Sequence, residues 1–220
     1  MAVNPPAVVP MNPLDLASHG PVIPVIVIDR VEDALPLAEA LLAGGVKVLE
    51  VTLRTAAGLP AIEAIARHLP EAVVGVGTVL NAGDARRAHA AGARFAVSPG
   101  YTSEVGNACK DLGLPLLPGV ATSSEIMAAL ADGYSFLKLF PAEAVGGIAL
   151  LKSWVSPFGQ VVFCPTGGIT PTSAPQYLAL PNVRCVGGSW LTPVDAVRAS
   201  DWMRITRLAH DALALCAQRP

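Results

Sequence analysis

Long hydrophobic runs and clusters of charge are both absent from this 220-residue chain. Charged residues make up only 15% of the sequence and aromatic residues 5%, whereas hydrophobic residues make up 52%. The apolar residues come in short blocks, below the roughly 20 consecutive residues that cross a bilayer, so we expect a soluble protein with no membrane partner. The net charge of −2, without a basic cluster, argues against a nucleic-acid partner. This length and composition suit one domain with a large core.

Metal-binding and redox motifs are also missing. No pair of cysteines has C-x-x-C spacing, and no pair of histidines has H-x-H or H-x-x-x-H spacing. We therefore expect no metal site and no other cofactor. We expect the four cysteines to be reduced thiols and the protein to be cytoplasmic. The cysteines are Cys109, Cys164, Cys185 and Cys216.

The N-terminus lacks the basic start of a signal peptide, since no Lys or Arg precedes Arg30. Residues 1–13 contain four prolines and are predicted to be a flexible extension. A single domain is predicted over residues 14–220, beginning with a short helix at 14–19.

After that helix the sequence alternates between short apolar runs and helical segments, the last helix covering about 200–217. This rhythm predicts an α/β fold, a (β/α)₈ TIM barrel with a short N-terminal helix. The alternative is a doubly wound open sheet, although no G-x-G-x-x-G follows the first strand. The eight predicted strands are 22–28, 46–53, 73–77, 94–98, 114–117, 134–141, 161–164 and 183–187.

The sixth strand, Y-S-F-L-K-L-F-P, places Lys138 inside an otherwise apolar run. Burial penalises the charged ammonium, so such a lysine tends to become a neutral amine, which is a nucleophile. The alternative is a side chain that reaches water or pairs with a carboxylate.

Polar residues gather where the predicted strands end, which is where barrel enzymes carry their chemistry. In V-K-V-L-E-V-T-L-R, alternation puts Glu50 and Arg54 on one face near the end of the second strand. Glu50 and Lys138 could form a structural ion pair only. With Arg54 added, the set offers a nucleophilic amine, a proton-transfer carboxyl and a guanidinium that suits a carboxylate, which together fit a keto acid.

Two glycine turns follow the seventh and eighth strands, T-G-G-I-T at 166–170 and G-G-S-W at 187–190. Glycine lets the backbone approach a ligand closely, and N–H groups in such turns bind phosphate. Each turn alone is weak evidence and is also compatible with a simple chain reversal. Both together, after strands seven and eight, predict a phosphate site.

Several stretches resemble the family of bacterial 2-keto-3-deoxy-6-phosphogluconate (KDPG) and 4-hydroxy-2-oxoglutarate (KHG) aldolases, which are class I enzymes. They are P-V-I-P-V-I-V (21–27), G-G-V-K-V-L-E-V-T-L-R-T (44–55), V-G-T-V-L (76–80), S-P-G (98–100), F-L-K-L-F-P-A-E (136–143), C-P-T-G-G-I (164–169) and G-G-S-W-L (187–191). The resemblance runs from residue 21 to the final helix. It implies a metal-independent homotrimer that cleaves a 2-keto acid phosphate through a covalent imine.

The resemblance also implies roles for eleven residues. Lys138 forms the Schiff base, and Glu50 transfers protons. Arg54, Thr78 and Thr166 surround the pyruvate carboxylate, Pro99 and Phe140 line the pocket, and the backbone of Gly167, Gly168, Gly188 and Ser189 holds the phosphate.

The sequence departs from the family pattern at two places, which bear on the choice of substrate and not on the type of reaction. Asp29-Arg30 replaces a more basic pair, and the proline-rich extension has no counterpart. The galactonate-derived acid is therefore an alternative substrate. A phosphosugar epimerase or isomerase on the same barrel, with Glu50 as base, and a non-catalytic sugar-phosphate-binding protein are alternative functions.

Overall fold

The computed structural model describes residues 13–215. The predicted flexible extension therefore lies outside the described residues, apart from Pro13, as does the end of the predicted final helix. Within 13–215, no helix is both long and apolar enough to span a bilayer.

Parallel strands alternate with helices along the described chain, which confirms the α/β class. Each strand is short and mostly buried on both faces, as expected for a parallel sheet covered by helices. The strands are β1 (Val22–Ile26), β2 (Val48–Thr52), β3 (Val73–Gly77), β4 (Ala96–Val97), β5 (Leu116–Leu117), β6 (Gly119–Val120), β7 (Phe136–Leu139), β8 (Val162–Pro165) and β9 (Val186–Gly188).

The regular strand pairs form two sheets, a six-stranded one in the order β5-β4-β3-β2-β1-β9 and a three-stranded one in the order β6-β7-β8. The chain passes from one sheet to the other at Pro118. Of the strand predicted at 114–117, residues 116–117 form β5, whereas β6 lies beyond the predicted strand. Proline has no N–H to donate, so Pro118 interrupts the hydrogen-bond ladder at the point between β5 and β6. Isolated bridges join the other edges, pairing Phe163 with Val183 and Thr166 with Gly187.

The helices cover the outer faces of the sheets. Helix α5 begins with a capping box, in which the side chains of Thr122 and Glu125 each accept a hydrogen bond from the other's backbone N–H. Helix α8 was not predicted. The helices are α1 (Ala34–Ala43), α2 (Gly58–His68), α3 (Ala82–Ala90), α4 (Ser103–Asp111), α5 (Ser123–Ala131), α6 (Gly147–Trp154), α7 (Ala174–Leu178), α8 (Val194–Arg198) and α9 (Trp202–Ala214), with 3₁₀ turns at Pro13–His19, Val31–Asp33 and Glu143–Val145.

A separate apolar group, here called the inner cluster, lies on the sheet faces turned away from the helices. Phe95 extends over Gly75, where any Cβ would collide with its ring. Leu16 of the first 3₁₀ turn joins the same group. Its buried members are Leu16, Ile23, Val48, Val73, Phe95, Val97, Leu117, Phe136, Cys164 and Cys185.

Candidate active site

Lys138 and Glu50 meet inside the protein. Each is 3% exposed, and Nζ of Lys138 lies 3.4 Å from Oε1 of Glu50. Strand alternation puts Lys138 on the face of Phe136 in β7 and Glu50 on the face of Val48 in β2, two residues closer to the carboxyl end. Both predicted catalytic residues thus lie just beyond the inner cluster.

The backbone around Lys138 is fixed on both sides of its strand. Its N–H donates to the carbonyl of Pro118 at 2.8 Å, and it pairs with Gly119 of β6 and Cys164 of β8. Its Nζ lies 5.2 Å from the centre of the Phe140 ring, within cation–π range. The amine therefore has a defined direction towards Glu50.

Glu50 fits because its neighbour in β3 is glycine. A Cβ at Gly77 would lie 2.8 Å from Cγ of Glu50 and would overlap its carboxylate. Beyond Gly77 the backbone of Thr78 has φ 64°, a conformation rare for a β-branched residue and common at functional sites. In that position the Thr78 hydroxyl accepts a hydrogen bond from Nε of Arg54 at 3.2 Å.

A cavity of about 90 Å³ lies at this end of the strands. Six predicted site residues line it, together with three that were not predicted. The predicted ones are Arg54, Phe140, Thr166, Gly167, Gly168 and Ser189, and the others are Val25, Ile169 and Gly187.

The remaining predicted residues are not part of the lining of this cavity. Pro99 is half-buried and packs against Gly119, where a Cβ would collide with the Pro99 carbonyl. Gly188 lies beneath the ring of Trp190. Thr78 is connected to the cavity lining by its hydrogen bond with Arg54.

Thr166 and Gly187 show why sequence reasoning missed part of the lining. They bridge β8 and β9, and a Cβ at Gly187 would overlap the Thr166 side chain. Thr166 is buried, and its hydroxyl donates to the carbonyl of Cys164 at 3.3 Å. This close approach depends on the register between two strands that are separated by α7 in the sequence, for which no local signal exists.

The Gly167-Gly168 turn is held by the segment after β7. The N–H of Ala142 donates to Thr166 O at 2.8 Å, and the N–H of Glu143 donates to Gly167 O at 3.1 Å. Both glycines have positive φ, 103° and 82°, which side chains rarely allow. The turn is thus adjacent to the cavity and shaped for close approach of a ligand.

A larger cavity of about 330 Å³ adjoins the first and shares Val25 and Ser189 with it. It contains Arg30, whose guanidinium donates to both carboxylate oxygens of Asp33 at 2.9 and 2.6 Å; these bonds raise the pKa of Arg30. Its lining contains no lysine. The smaller cavity is the better candidate for the reacting centre despite its size, because it lies beside Phe140 and Thr166 near the buried amine.

No group of three or more His, Cys, Asp or Glu residues within 13–215 is placed to hold a metal ion.

A family model described as "KDPG and KHG aldolase" matches residues 15–208 of the chain. The 2-dehydro-3-deoxy-phosphogluconate aldolase of Pseudoalteromonas atlantica is 54% identical over 200 residues, covering 91% of this chain and 93% of that protein. The KHG/KDPG aldolase of Escherichia coli K12 is 53% identical over 198 residues, covering 90% and 93%.

Among solved structures, the KDPG aldolase of Legionella pneumophila is 50% identical with a TM-score of 0.91, covering 92% of this chain and 98% of that one. That structure holds pyruvate captured as a covalent carbinolamine intermediate.

Proposed function

The chain belongs to the KDPG and KHG aldolase family, and from that premise we propose how its own residues carry out the cleavage of KDPG. It is an aldolase, a carbon–carbon lyase that yields pyruvate and D-glyceraldehyde 3-phosphate from this substrate. The observation that carries the residue roles is the buried amine of Lys138, 3.4 Å from the carboxylate of Glu50.

Lys138 is the nucleophile. Its amine attacks the C2 ketone of the substrate to form a carbinolamine, which loses water and becomes a protonated imine. The imine withdraws electrons from the adjoining carbons. When the C3–C4 bond breaks, its electron pair moves towards the imine nitrogen and leaves an enamine on Lys138.

Glu50 moves the protons. Its carboxylate, through a water molecule, accepts the proton of the C4 hydroxyl as C4 becomes the aldehyde of glyceraldehyde 3-phosphate. The enamine is then protonated at C3, and hydrolysis of the resulting imine releases pyruvate and the free amine. The direct contact with Lys138 puts one proton-transfer group within reach of both steps.

The other side chains hold the two ends of the substrate. Arg54, Thr78 and Thr166 bind the carboxylate next to the ketone, with the guanidinium fixed by its bond to Thr78. Pro99 and Phe140 form the apolar wall. The backbone N–H groups of Gly167, Gly168, Gly188 and Ser189 bind the phosphate; the positive φ of the first two supports this role.

The same site suits 4-hydroxy-2-oxoglutarate, which is cleaved to pyruvate and glyoxylate by the same steps. The KHG/KDPG name of the Escherichia coli relative supports this second substrate. The galactonate-derived acid phosphate differs from KDPG in stereochemistry only and is the alternative within the same reaction.

The two sheets are proposed to be arcs of one closed (β/α)₈ barrel forming a single domain over 14–220. The bridges between Phe163 and Val183 and between Thr166 and Gly187 support closure at one junction, and the short link through Pro118 supports it at the other. The family resemblance supports a cytoplasmic homotrimer that needs no metal, with an imine as its only covalent intermediate.

Borohydride reduction in the presence of pyruvate tests the Schiff base. A peptide containing Lys138 should gain the mass of reduced pyruvate, since borohydride traps an imine as a stable amine. No adduct under conditions that label a known class I aldolase would exclude the mechanism and favour an epimerase or isomerase. Release of pyruvate, followed with lactate dehydrogenase, separates an enzyme from a binding protein.

A further inference from the structure

Glu143 lies beside the proposed phosphate site but has no part in the steps above. It begins a 3₁₀ turn four residues after the end of β7, and its side chain runs along Gly168. A Cβ at Gly168 would lie 2.6 Å from Cγ of Glu143 and 2.7 Å from its Cβ. A carboxylate repels a phosphate nearby, so its presence here requires a structural reason.

Tyr177 provides that reason. It lies on α7, is 1% exposed, and its hydroxyl donates to Oε1 of Glu143 at 2.6 Å. Burial and this bond together raise the pKa of Tyr177, so the hydroxyl stays a donor. A hydrogen bond to an ionised acceptor is stronger than one between neutral groups.

The space around this hydroxyl is kept open by another glycine. A Cβ at Gly147, the first residue of α6, would lie 2.5 Å from the Tyr177 oxygen. The hydroxyl is therefore enclosed between α6, α7 and the 3₁₀ turn. The hydrogen bond from Tyr177 therefore links Glu143 to α7, and α6 lies against the same hydroxyl.

Glu143 in turn contacts both glycines. Its N–H donates to Gly167 O, and its methylene groups cover Gly168. Two consecutive glycines have many accessible conformations, and selecting one carries an entropic cost. A rigid neighbour that holds the turn in its binding geometry lowers the cost of binding.

We propose that Tyr177 and Glu143 are positioning residues for phosphate: the tyrosine hydroxyl holds the glutamate against the Gly167-Gly168 turn, and the glutamate keeps the N–H groups of that turn directed at the phosphate of the substrate. The identity of the substrate rests on the proposed function. The expected signature is selectivity, because a distorted turn weakens recognition of the phosphate but leaves Lys138 and Glu50 unchanged.

Tyr177→Phe tests this with the loss of one oxygen atom. We expect kcat/KM for KDPG to fall about tenfold, mainly through a higher KM, as for a lost hydrogen bond to a charged group. The value for 4-hydroxy-2-oxoglutarate, which has no phosphate, should not change. Tyr134→Phe is the matched control, because its half-buried hydroxyl donates at 2.9 Å to Gly106 O in α4.

Two changes at Glu143 complete the test. Glu143→Gln keeps an oxygen that accepts from Tyr177 and should retain the preference for KDPG, whereas Glu143→Ala should lose it as Tyr177→Phe does. Because Glu143 is exposed, neither change should prevent folding.

Binding of glycerol 3-phosphate, measured by calorimetry, gives a readout that does not need turnover. Its Kd should rise in Tyr177→Phe and Glu143→Ala but not in Glu143→Gln or Tyr134→Phe. Unchanged phosphate affinity, or an equal loss on both keto acids, would overturn the inference. A wild-type protein that cleaves neither acid would contradict the proposed function, while the phosphate affinities would still decide the role of Tyr177.

Discussion

Along β2 and β7 the side chains that share one face change from apolar to charged within two residues. Val48 and Phe136 belong to the inner cluster, whereas Glu50 and Lys138 form the buried ion pair. The amino ends of these two strands pack tightly without charge, and their carboxyl ends hold the proposed reactive groups. A strand can therefore contribute to stability and to chemistry on the same face, because every second residue meets a different environment.

The two ends differ in what they contribute to folding. A buried ion pair adds little net stability, since the desolvation of both charges offsets their attraction. Burial of apolar surface in the inner cluster stabilises the folded state by about 25 cal/mol per Å². We therefore expect changes at the carboxyl ends to affect turnover, and changes at the amino ends to affect the free energy of unfolding.

Lys138→Met should have the largest effect. Without an amine no imine forms, and kcat should fall by at least about 10⁴-fold, as when other enzymes lose their nucleophile. The circular dichroism spectrum should stay that of a folded protein, because the inner cluster is untouched. Lys152→Met, on the exposed side of α6, is the control and should keep full activity. A near wild-type rate for Lys138→Met would rule out the proposed nucleophile.

Glu50→Gln should lower kcat by about 10² to 10⁴-fold, the usual contribution of a general acid–base group. Glutamine keeps the shape of the side chain and an oxygen facing Lys138, so pyruvate should still be trapped by borohydride. Steady-state kinetics and mass spectrometry check the two statements separately. Loss of trapping together with loss of turnover would mean that Glu50 is needed to form the imine itself.

Phe95→Ala, in the inner cluster, should lower stability and leave turnover unchanged. Removing this fully buried ring leaves a cavity over Gly75 and should lower the free energy of unfolding by about 3 to 5 kcal/mol. Urea denaturation measures this change, and kcat of the protein that remains folded should match wild type. A large fall in kcat without a loss of stability would mean that the two ends are not separate.

Arg54→Ala should have the smallest effect of the four. The guanidinium is exposed and contacts Thr78, so its loss should raise KM for both keto acids about tenfold, the scale of one charge-assisted hydrogen bond. Stability should be nearly unchanged. A rise in KM for only one of the two acids would place Arg54 at the distal end of the substrate rather than at the shared carboxylate.

Local sequence patterns predicted most of the strands and the burial of Lys138 near their carboxyl ends. The bounds of β3 match the predicted 73–77 residue for residue, because a glycine marks the end of this strand. Alternation predicted that Glu50 and Arg54 share a face of the second strand, and the apolar run around Lys138 predicted that this lysine is buried, as it is in the structure. These features depend on neighbours in the chain, and the sequence displays them directly.

Features that depend on distant contacts were not predicted. Helix α8 spans only five residues, too few for a recognisable period. The bond between Tyr177 and Glu143 joins residues 34 positions apart. Strand β6 has only two residues, Gly119 and Val120, and it is defined by its pairing with β7 rather than by a local pattern.

The lack of a side chain at Gly77 restricts how this sequence can evolve. Residue 77 takes part in no step of the reaction, yet any side chain there overlaps the carboxylate of Glu50. Many surface residues of this chain can therefore change freely. A single substitution at position 77, by contrast, would inactivate the protein although it alters no reactive atom. Selection should consequently hold position 77 as strictly as the lysine itself.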